Sequence, residues 1–445
     1  MNPASQPRVW LSYGLPGLPL ALLGVPLYVY LPPFYAEQIG LGLAAVGLAL
    51  MLTRLFDVIT DPLIGHLADR LPPAHRRRLM ILIGTPLLLF ALHRLLQPPM
   101  DIGLGYLYGW AVLAYLGWTM VTLPYQAWGA EVDPSAHGRT RLAASREGFA
   151  IFGIVLAASL PVLISSEDPA DILPLVDILM LVLLPLTLLI LFWQVPEHRV
   201  THPPVPWRIG WRLIKRNHAL RALLGAYFLN NLANGLPAAL FLLFVTYRLE
   251  AQGAAGPLLL LYFLAGILAL PGWTWAARRH GKRLVWLVSV LLASAAFMIV
   301  PWLGPGDVMA FALVCLISGL SLGADMALPA SIQADLAGQD AEAGGGERAG
   351  LFFGLLGLVT KLALAIAVGL SFGLLELAGF SGEDGDATLA LALLYGLLPV
   401  ILKLAGGWLI WQPLGKYYRE VTPDNTPRTT TAMSKKQHVT PGGTP

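Results

Sequence analysis

Within an otherwise apolar run, TRLFDVITDPLIG (53–65) carries Arg54, Asp57 and Asp61. Their spacing of i, i+3 and i+7 sets all three near one face of a helix. Asp57 and Asp61 lie one turn apart and aim two carboxylates at one small volume. Two such groups repel unless a cation or a proton sits between them. That is the chemistry of a Na⁺ or H⁺ site made of hard oxygen ligands. In the structural alternative, Arg54 pairs with Asp57 and Asp61 caps an interhelix contact. Arg54, Asp69 and Arg70 are assigned to a clamp and gate at the following basic loop.

Further polar groups punctuate apolar stretches, where each charge costs several kcal/mol and asks for a reason. TMVTLPYQAWGAE (119–131) places Thr119, Thr122, Tyr125, Gln126 and Trp128 around Pro124. RLAASREGF brings Arg146, FLNNLANGLP brings Asn230, Asn231 and Asn234, and GLSLGADMALP brings Asp325. Lys361 lies deep in LGLVTKLALA, and its plausible partners are Asp325, the two carboxylates, or an anionic or hydroxyl-rich solute. The asparagines serve equally well as bridges between helices. Lys403 reads as a structural, snorkelling lysine. Among the aromatics, Tyr28 and Trp128 are the candidates to stack on a ring-shaped solute.

The elements that must hold these groups follow from composition. The chain has 445 residues, 56% hydrophobic and 12% charged, with mean hydropathy +0.66. Soluble domains are about a quarter charged, so part of this surface must face lipid. A soluble enzyme, a nucleic-acid binder and a disordered chain are excluded. A single cysteine, Cys315, allows no intrachain disulfide and no thiolate metal cluster. The opening MNPASQPRVW lacks the plan of a cleaved signal, so the first apolar run is expected to be retained.

A membrane helix needs about twenty apolar residues. Twelve such stretches are present, near 10–35, 42–68, 79–97, 101–131, 142–165, 170–195, 218–247, 256–277, 283–303, 307–335, 350–378 and 388–412. The expected fold is therefore an all-α membrane protein of twelve transmembrane helices in two pseudo-symmetric six-helix bundles. Residues 1–195 form the first bundle, 196–217 a cytoplasmic linker with an amphipathic piece around Trp207 and Trp211, and 218–412 the second bundle. Residues 413–445 are a polar tail expected to be disordered. Lys and Arg concentrate in ADRLPPAHRRR, HGRTR, ARRHGKR and the central linker, so both termini are expected in the cytoplasm. The halves show a faint repeat, with Pro62 and Pro271 at matching places before basic loops. The positions equivalent to Asp57 and Asp61 are Gly266 and Leu270. The acids are therefore not required by the fold itself.

RLFDVITDPLIGHLADR, LPYQAWGAE, RTRLAASR, LPASIQADL and ERAGLFFGLLGLVTKLALA together resemble the glycoside–pentoside–hexuronide:cation symporters, the melibiose permease-like branch of the major facilitator superfamily. The similarity covers about residues 10–412. It implies alternating access, with two halves rocking around a midplane site and a solute coupled to a cation. It implies Asp57, Asp61, Thr119 and Thr122 at the cation site, and Arg146 and Lys361 in or beside the solute pocket. Two acids of the melibiose permease correspond here to Ala21 and Thr122. That makes melibiose a poor candidate and tilts coupling toward H⁺.

The expected function is a secondary active transporter, a symporter coupled to H⁺ or Na⁺, that moves a small solute, a carbohydrate or sugar acid. The expected substrate-binding set is Arg146, Lys361, Asp325, Asn230, Asn231, Asn234, Tyr28 and Trp128. No cofactor is expected, nor a metal beyond Na⁺ at Asp57 and Asp61. The expected partners are a small-molecule substrate and the lipid bilayer but no nucleic acid, and a monomer in a bacterial inner membrane is expected. A lysolipid or amphiphile symporter of the same fold is the alternative. A polytopic membrane enzyme is the rival from another class, weakened because His66, His75 and His93 form no metal-binding spacing. A sensor that binds without transporting is a third option.

Overall fold

The computed structural model describes residues 7–70, 75–99, 101–133, 136–196, 213–342, 349–380 and 385–418. These residues form twelve long helices and no strands. The first bundle comprises α1 (Pro7–Gln38), α2 (Leu43–Arg70), α3 (Arg76–Leu96), α4 (Leu104–Val132), α5 (Ala136–Ile164) and α6 (Pro169–Gln194). The second comprises α7 (His218–Arg248), α8 (Ala255–His280), α9 (Lys282–Trp302), α10 (Val308–Asp340), α11 (Ala349–Leu377) and α12 (Thr388–Tyr417).

Eleven of the twelve are long and apolar enough to cross a membrane by composition alone. The remaining helix, α4, has 29 residues, diluted by Gly, Tyr, Trp and Thr. At 1.5 Å per residue it spans about 43 Å, ample for a bilayer. Lipid accounts for apolar side chains left on the outside, such as Ile59, Leu63, Phe152, Leu189, Leu268 and Leu377. On α2 the exposed Ile59 and Leu63 alternate with the inward carboxylates.

Proline shapes the helices. In α1 the backbone shifts to π-type turns at Pro26–Tyr30 and Phe34–Gln38, because a proline ring removes a donor from the ladder. The second bundle repeats this device at Phe244–Arg248, near the corresponding end of α7. Gly281, at φ +88°, is the single residue joining α8 to α9. A side chain there would be strained.

Because each bundle has six spans, the start of α1 and the end of α12 lie at one face, called here the terminal face. The opposite face is the distal one. The halves meet along α2–α11, α5–α8 and α1–α7. One apolar core fills the first half, from Val9 and Trp128 to Tyr35 and Val46, and crosses at the distal side to Phe244, Phe372 and Val400 in the second. Toward the terminal face the second half has its own separate core around Trp286, Ile332 and Phe352. The seam is thus closed distally and parted at the terminal face.

The distal closure has two reciprocal ties. Glu376, at the end of α11, accepts from the Ala44 N–H in the first turn of α2 at 2.6 Å. Glu167, beyond the end of α5, accepts from the Gly256 N–H in the first turn of α8 at 2.8 and 3.0 Å. Each half therefore supplies a carboxylate to the unpaired N–H groups and positive dipole end of a helix in the other.

At the terminal face each half is braced internally. Arg76 and Arg77 of α3 pair with Glu131 of α4 at 3.0 and 2.6 Å. Lys282 of α9 pairs with Asp335 of α10 at 2.7 Å. Tyr418 donates to the same carboxylate, so the segment expected as tail continues helix α12 to Tyr417. Residues 197–212, including Trp207 and Trp211, and 419–445 lie outside the described residues.

Candidate functional site

Asp57 lies fourteen residues below the start of α2, about 21 Å from the distal end of the helix. It is 3% exposed, and its Oδ2 is 2.7 Å from the Lys361 ammonium of α11. The same ammonium is 2.5 Å from Asp61 Oδ2. On the other side of the pair, Thr119 Oγ1 lies 2.7 Å from Asp57 Oδ1 and 3.0 Å from Asp61 Oδ1. A hydroxyl has one proton to give, so it donates to one carboxylate at a time. The result is a cage of carboxylate and hydroxyl oxygens with an ammonium in the place a free cation would take. Asp57 and Thr119 are buried, while Asp61 and Lys361 are partly exposed, so the cage opens on the Asp61 side.

This cage crosses the seam, since its oxygens belong to α2 and α4 and its ammonium to α11. Na⁺ and H⁺ both suit such oxygens. Among the described residues no cluster of three or more His, Cys, Asp or Glu side chains forms a metal site.

Beside the cage lies a cavity of about 330 Å³ between α1, α2, α3, α4 and α11. Its polar wall is Arg54, Asp57, Thr360 and Lys361, and its aromatic wall is Tyr28, Tyr115 and Trp118. The remainder is mostly leucine, among them Leu23, Leu27, Leu88 and Leu92. Arg54 is 8% exposed, and its guanidinium lies over the Tyr28 ring at 3.9 Å and nearer than 6 Å to Tyr115, at 5.1 Å. It also hydrogen-bonds the Tyr28 hydroxyl. No carboxylate of the described residues stands within ion-pairing distance of it. The structural alternative of an Arg54–Asp57 pair is therefore not realised. Nor does Arg54 reach a terminal-face gate. It is a cavity cation held by aromatic rings.

Other expected site residues distribute differently. Thr122 donates back to the Trp118 carbonyl of its own helix at 2.9 Å and contributes nothing to the cage. Arg146 bonds Glu147 at 2.7 Å, outside the cavity lining. Trp128 is buried at the terminal side, donating to the Pro196 carbonyl and stacked on Phe192. Asn231 bonds the Tyr227 carbonyl one turn back. Asp325, Asn230 and Asn234 gather in the second half, together with Lys403. That lysine is 2% exposed and does not snorkel. The backbone of α2 runs through Asp69 and Arg70, whose side chains lie outside the described residues.

Tyr115 and Trp118, which sequence offers among several aromatics but does not single out, form the cavity wall, and the residue missed in sequence is Lys403 as a buried partner of Asp325. Lys403 carried a readable signal, being a lysine flanked on both sides by apolar residues near the middle of a span.

The family model for MFS/sugar transport proteins matches residues 12–413. The chain belongs to this family. It is a membrane transporter and not an enzyme. The likeness to the melibiose permease-like symporters drawn from the sequence agrees with that assignment. A sodium-dependent lysophosphatidylcholine symporter of Gallus gallus is 24% identical, covering 89% of this chain and 84% of the relative. The glucuronide carrier protein homolog of Escherichia coli is also 24% identical, covering 88% and 90%. In fold, a nucleoside transporter matches at TM-score 0.66 and 15% identity over 90% of this chain and 99% of its own. A bacterial homologue of the lysosomal transporter Spinster, inward-facing and unoccupied, matches at 0.66 and 16% identity over 93% and 98%.

Proposed function

We propose that this transporter is a symporter that couples H⁺ or Na⁺ to a small organic anion, of which a sugar acid is the leading class. The observation that carries the anionic class is Arg54, a buried guanidinium facing a cavity with no carboxylate partner among the described residues. Asp57 acts on this charge only from beyond ion-pairing distance, so its burial lacks a direct partner, and a solute carboxylate would supply one. Tyr28, Tyr115 and Trp118 offer faces on which a sugar ring can stack.

Coupling follows from Lys361. Its ammonium already neutralises part of the Asp57–Asp61 cage. An arriving cation displaces it, and the freed ammonium then adds a second positive charge to the cavity wall beside Arg54. Cation binding thereby strengthens anion binding, and the reverse holds by thermodynamic linkage. The terminal face is assigned to the cytoplasm on the Lys and Arg asymmetry, in a bacterial inner membrane, with the monomer as the working unit.

The leucine-rich part of the same cavity favours a second reading, an amphiphile with an anionic head at Arg54 and an apolar chain along Leu23, Leu27, Leu88 and Leu92. Proteoliposome uptake separates the two. D-glucuronate is expected to accumulate uphill under a Na⁺ or a proton gradient, with lysophosphatidylcholine as the competing probe. Asp57→Asn and Asp61→Asn are each expected to abolish accumulation while the protein stays folded in the membrane. Undiminished accumulation in both variants overturns the ion-site assignment.

A further inference from the structure

A second polar cluster lies in the carboxyl-terminal half, outside the ion cage. Asp325, midway along α10, accepts from the Trp286 indole N–H at 2.9 Å and from the Asn234 amide at 3.1 Å. The buried Lys403 ammonium stands 3.7 Å from that carboxylate, beyond hydrogen-bonding reach, and donates instead to Asn230 Oδ1 at 2.9 Å. The amide nitrogen of Asn230 is buried with no partner. An ammonium brings three N–H groups, of which one reaches Asn230, so unmet donors stand in this cluster at Asn230 Nδ2 and on the ammonium. Buried donors of this kind are normally filled by a ligand or ordered water.

A chamber of about 80 Å³ opens beside the cluster, lined by Asp325, Asn234 and Lys403 and walled by the rings of Phe241, Tyr262 and Phe311. Charge decides what it can take. Carboxylate and ammonium cancel, so Lys403 repels a metal cation and Asp325 repels an anion. A hydroxyl does what neither ion can: set beside the pair, which stand 3.7 Å apart, it donates to Asp325 and accepts from Lys403 in two charge-assisted bonds. At about 10–15 Å³ per water-sized group, the chamber takes roughly five to eight non-hydrogen atoms. That is the end of a polyol rather than a whole sugar ring.

The chamber borders the transport cavity. Tyr28 lines the cavity beside the ion cage, and the next residue, Val29, lines this chamber. Both belong to the π-type turn Pro26–Tyr30 of α1, so one turn of helix separates the two spaces.

We propose that this chamber is a hydroxyl-recognising site for a small polyol group, set apart from the anion site at Arg54 by α1. For the identity of its occupant it rests on the transport reading above.

Cys315, the chain's single cysteine, lines the chamber and serves as a reporter. Its alkylation by methyl methanethiosulfonate is followed by mass spectrometry in the purified full-length protein. Erythritol and D-glucuronate are expected to slow the reaction, and cyclohexanecarboxylate is not. The paired change Asp325→Asn with Lys403→Met leaves no lone buried charge. It is expected to raise the erythritol concentration needed for protection by about tenfold or more. Absence of protection in the wild type, or equal protection in the paired variant, overturns the proposal. If the thiol resists the reagent, equilibrium dialysis with radiolabelled erythritol makes the same comparison between the same two proteins, and absent or equal binding overturns the proposal in the same way. If the paired variant does not fold, Asn230→Ala takes its place, with weaker erythritol binding expected and unchanged binding counting against the subsite. Arg54→Gln separates this proposal from the anion reading. It should abolish stabilisation by cyclohexanecarboxylate yet leave erythritol protection of Cys315 intact. Loss of both overturns an independent subsite. If cyclohexanecarboxylate never stabilises the wild type while erythritol protects, only the anion reading falls.

Discussion

At the scale of single residues the ion cage is governed by Lys361. Two carboxylates and one ammonium leave the cage with a net charge of −1, and the ammonium is an internal competitor for any cation. Lys361→Met removes that competitor and restores the full repulsion between Asp57 and Asp61. Na⁺ affinity is therefore expected to rise by about tenfold or more, read by isothermal titration at constant pH. Coupled uptake should be lost at the same time, because no freed ammonium reports cation binding to the cavity. Tighter Na⁺ binding without loss of coupling would contradict the displacement mechanism. The pair Asp57 and Asp61 was legible in sequence because its spacing on one helix is a local property. Lys361 is named by its place in an apolar run, but the two carboxylates only as one of its several possible partners, since Asp61 and Lys361 are 300 residues apart. Arg54 was misassigned for a related reason. Its partners are uncharged tyrosines on α1 and α4, and no charge pattern in the sequence points to them. Thr122, Arg146 and Trp128 have the right residue types and lie in helices of the same half. What sequence does not give is the rotation and depth of each helix: Thr122 is turned back on its own helix, and Trp128 lies toward the terminal face, away from the cavity.

The elements themselves were largely readable, because continuous apolar runs of membrane length admit only helices when the chain is not a barrel. Their ends were less so. Helix α12 runs on to Tyr417, past the Pro413 at which the tail was expected to begin, because a π-type turn at Ile410–Leu414 absorbs the proline. Close approach between elements was also invisible beforehand. A Cβ placed on Gly47 of α2 would lie 2.7 Å from Phe372 Cβ of α11, so these helices touch backbone to side chain at the distal seam. Gly47→Val is expected to wedge that seam and enrich the distal-open state. Spin labels at Ala170 and Gln252 would show a longer distance distribution, and D-glucuronate accumulation would fall. An unchanged distribution would mean that α2 and α11 can part without opening the seam as a whole.

On the scale of the whole molecule, the twofold plan is written more clearly in pairings than in sequence identity. Arg76 and Arg77 with Glu131, and Lys282 with Asp335, brace equivalent helix ends in the two halves. The matching Pro62 and Pro271 gave only a faint sign of this, since a salt bridge tolerates exchange of Arg for Lys and Glu for Asp. The distal ties follow the same symmetry, and one of them responds to pH. Burial pushes the Glu167 carboxyl above the usual carboxylate range, opposed by the Gly256 N–H. Opening of the seam returns the group to water and to its ordinary value. The closed form therefore binds the proton more readily than the open one. Closure is favoured by acid and weakens as pH rises through the raised value. Spin-label distances between Ala170 and Gln252 should accordingly shift toward the closed form on acidification. Glu167→Gln should weaken this dependence and shift the distribution at neutral pH toward the acid-like form, with the Glu37 carboxyl at the distal end of α1 supplying the remainder. A shift in the opposite direction would contradict this linkage.

That tie also has a bearing on direction. A proton taken up at Glu167 belongs to whichever compartment bathes the distal face, not to the cage in the membrane's interior. When that compartment is acidic, the carrier is pushed toward the form open at the other side and held there longer. Exchange with that compartment then slows in both directions, since loading from it and release to it each need the distal seam open. A carrier built this way senses the sidedness of a pH gradient even when Na⁺ is the ion it carries.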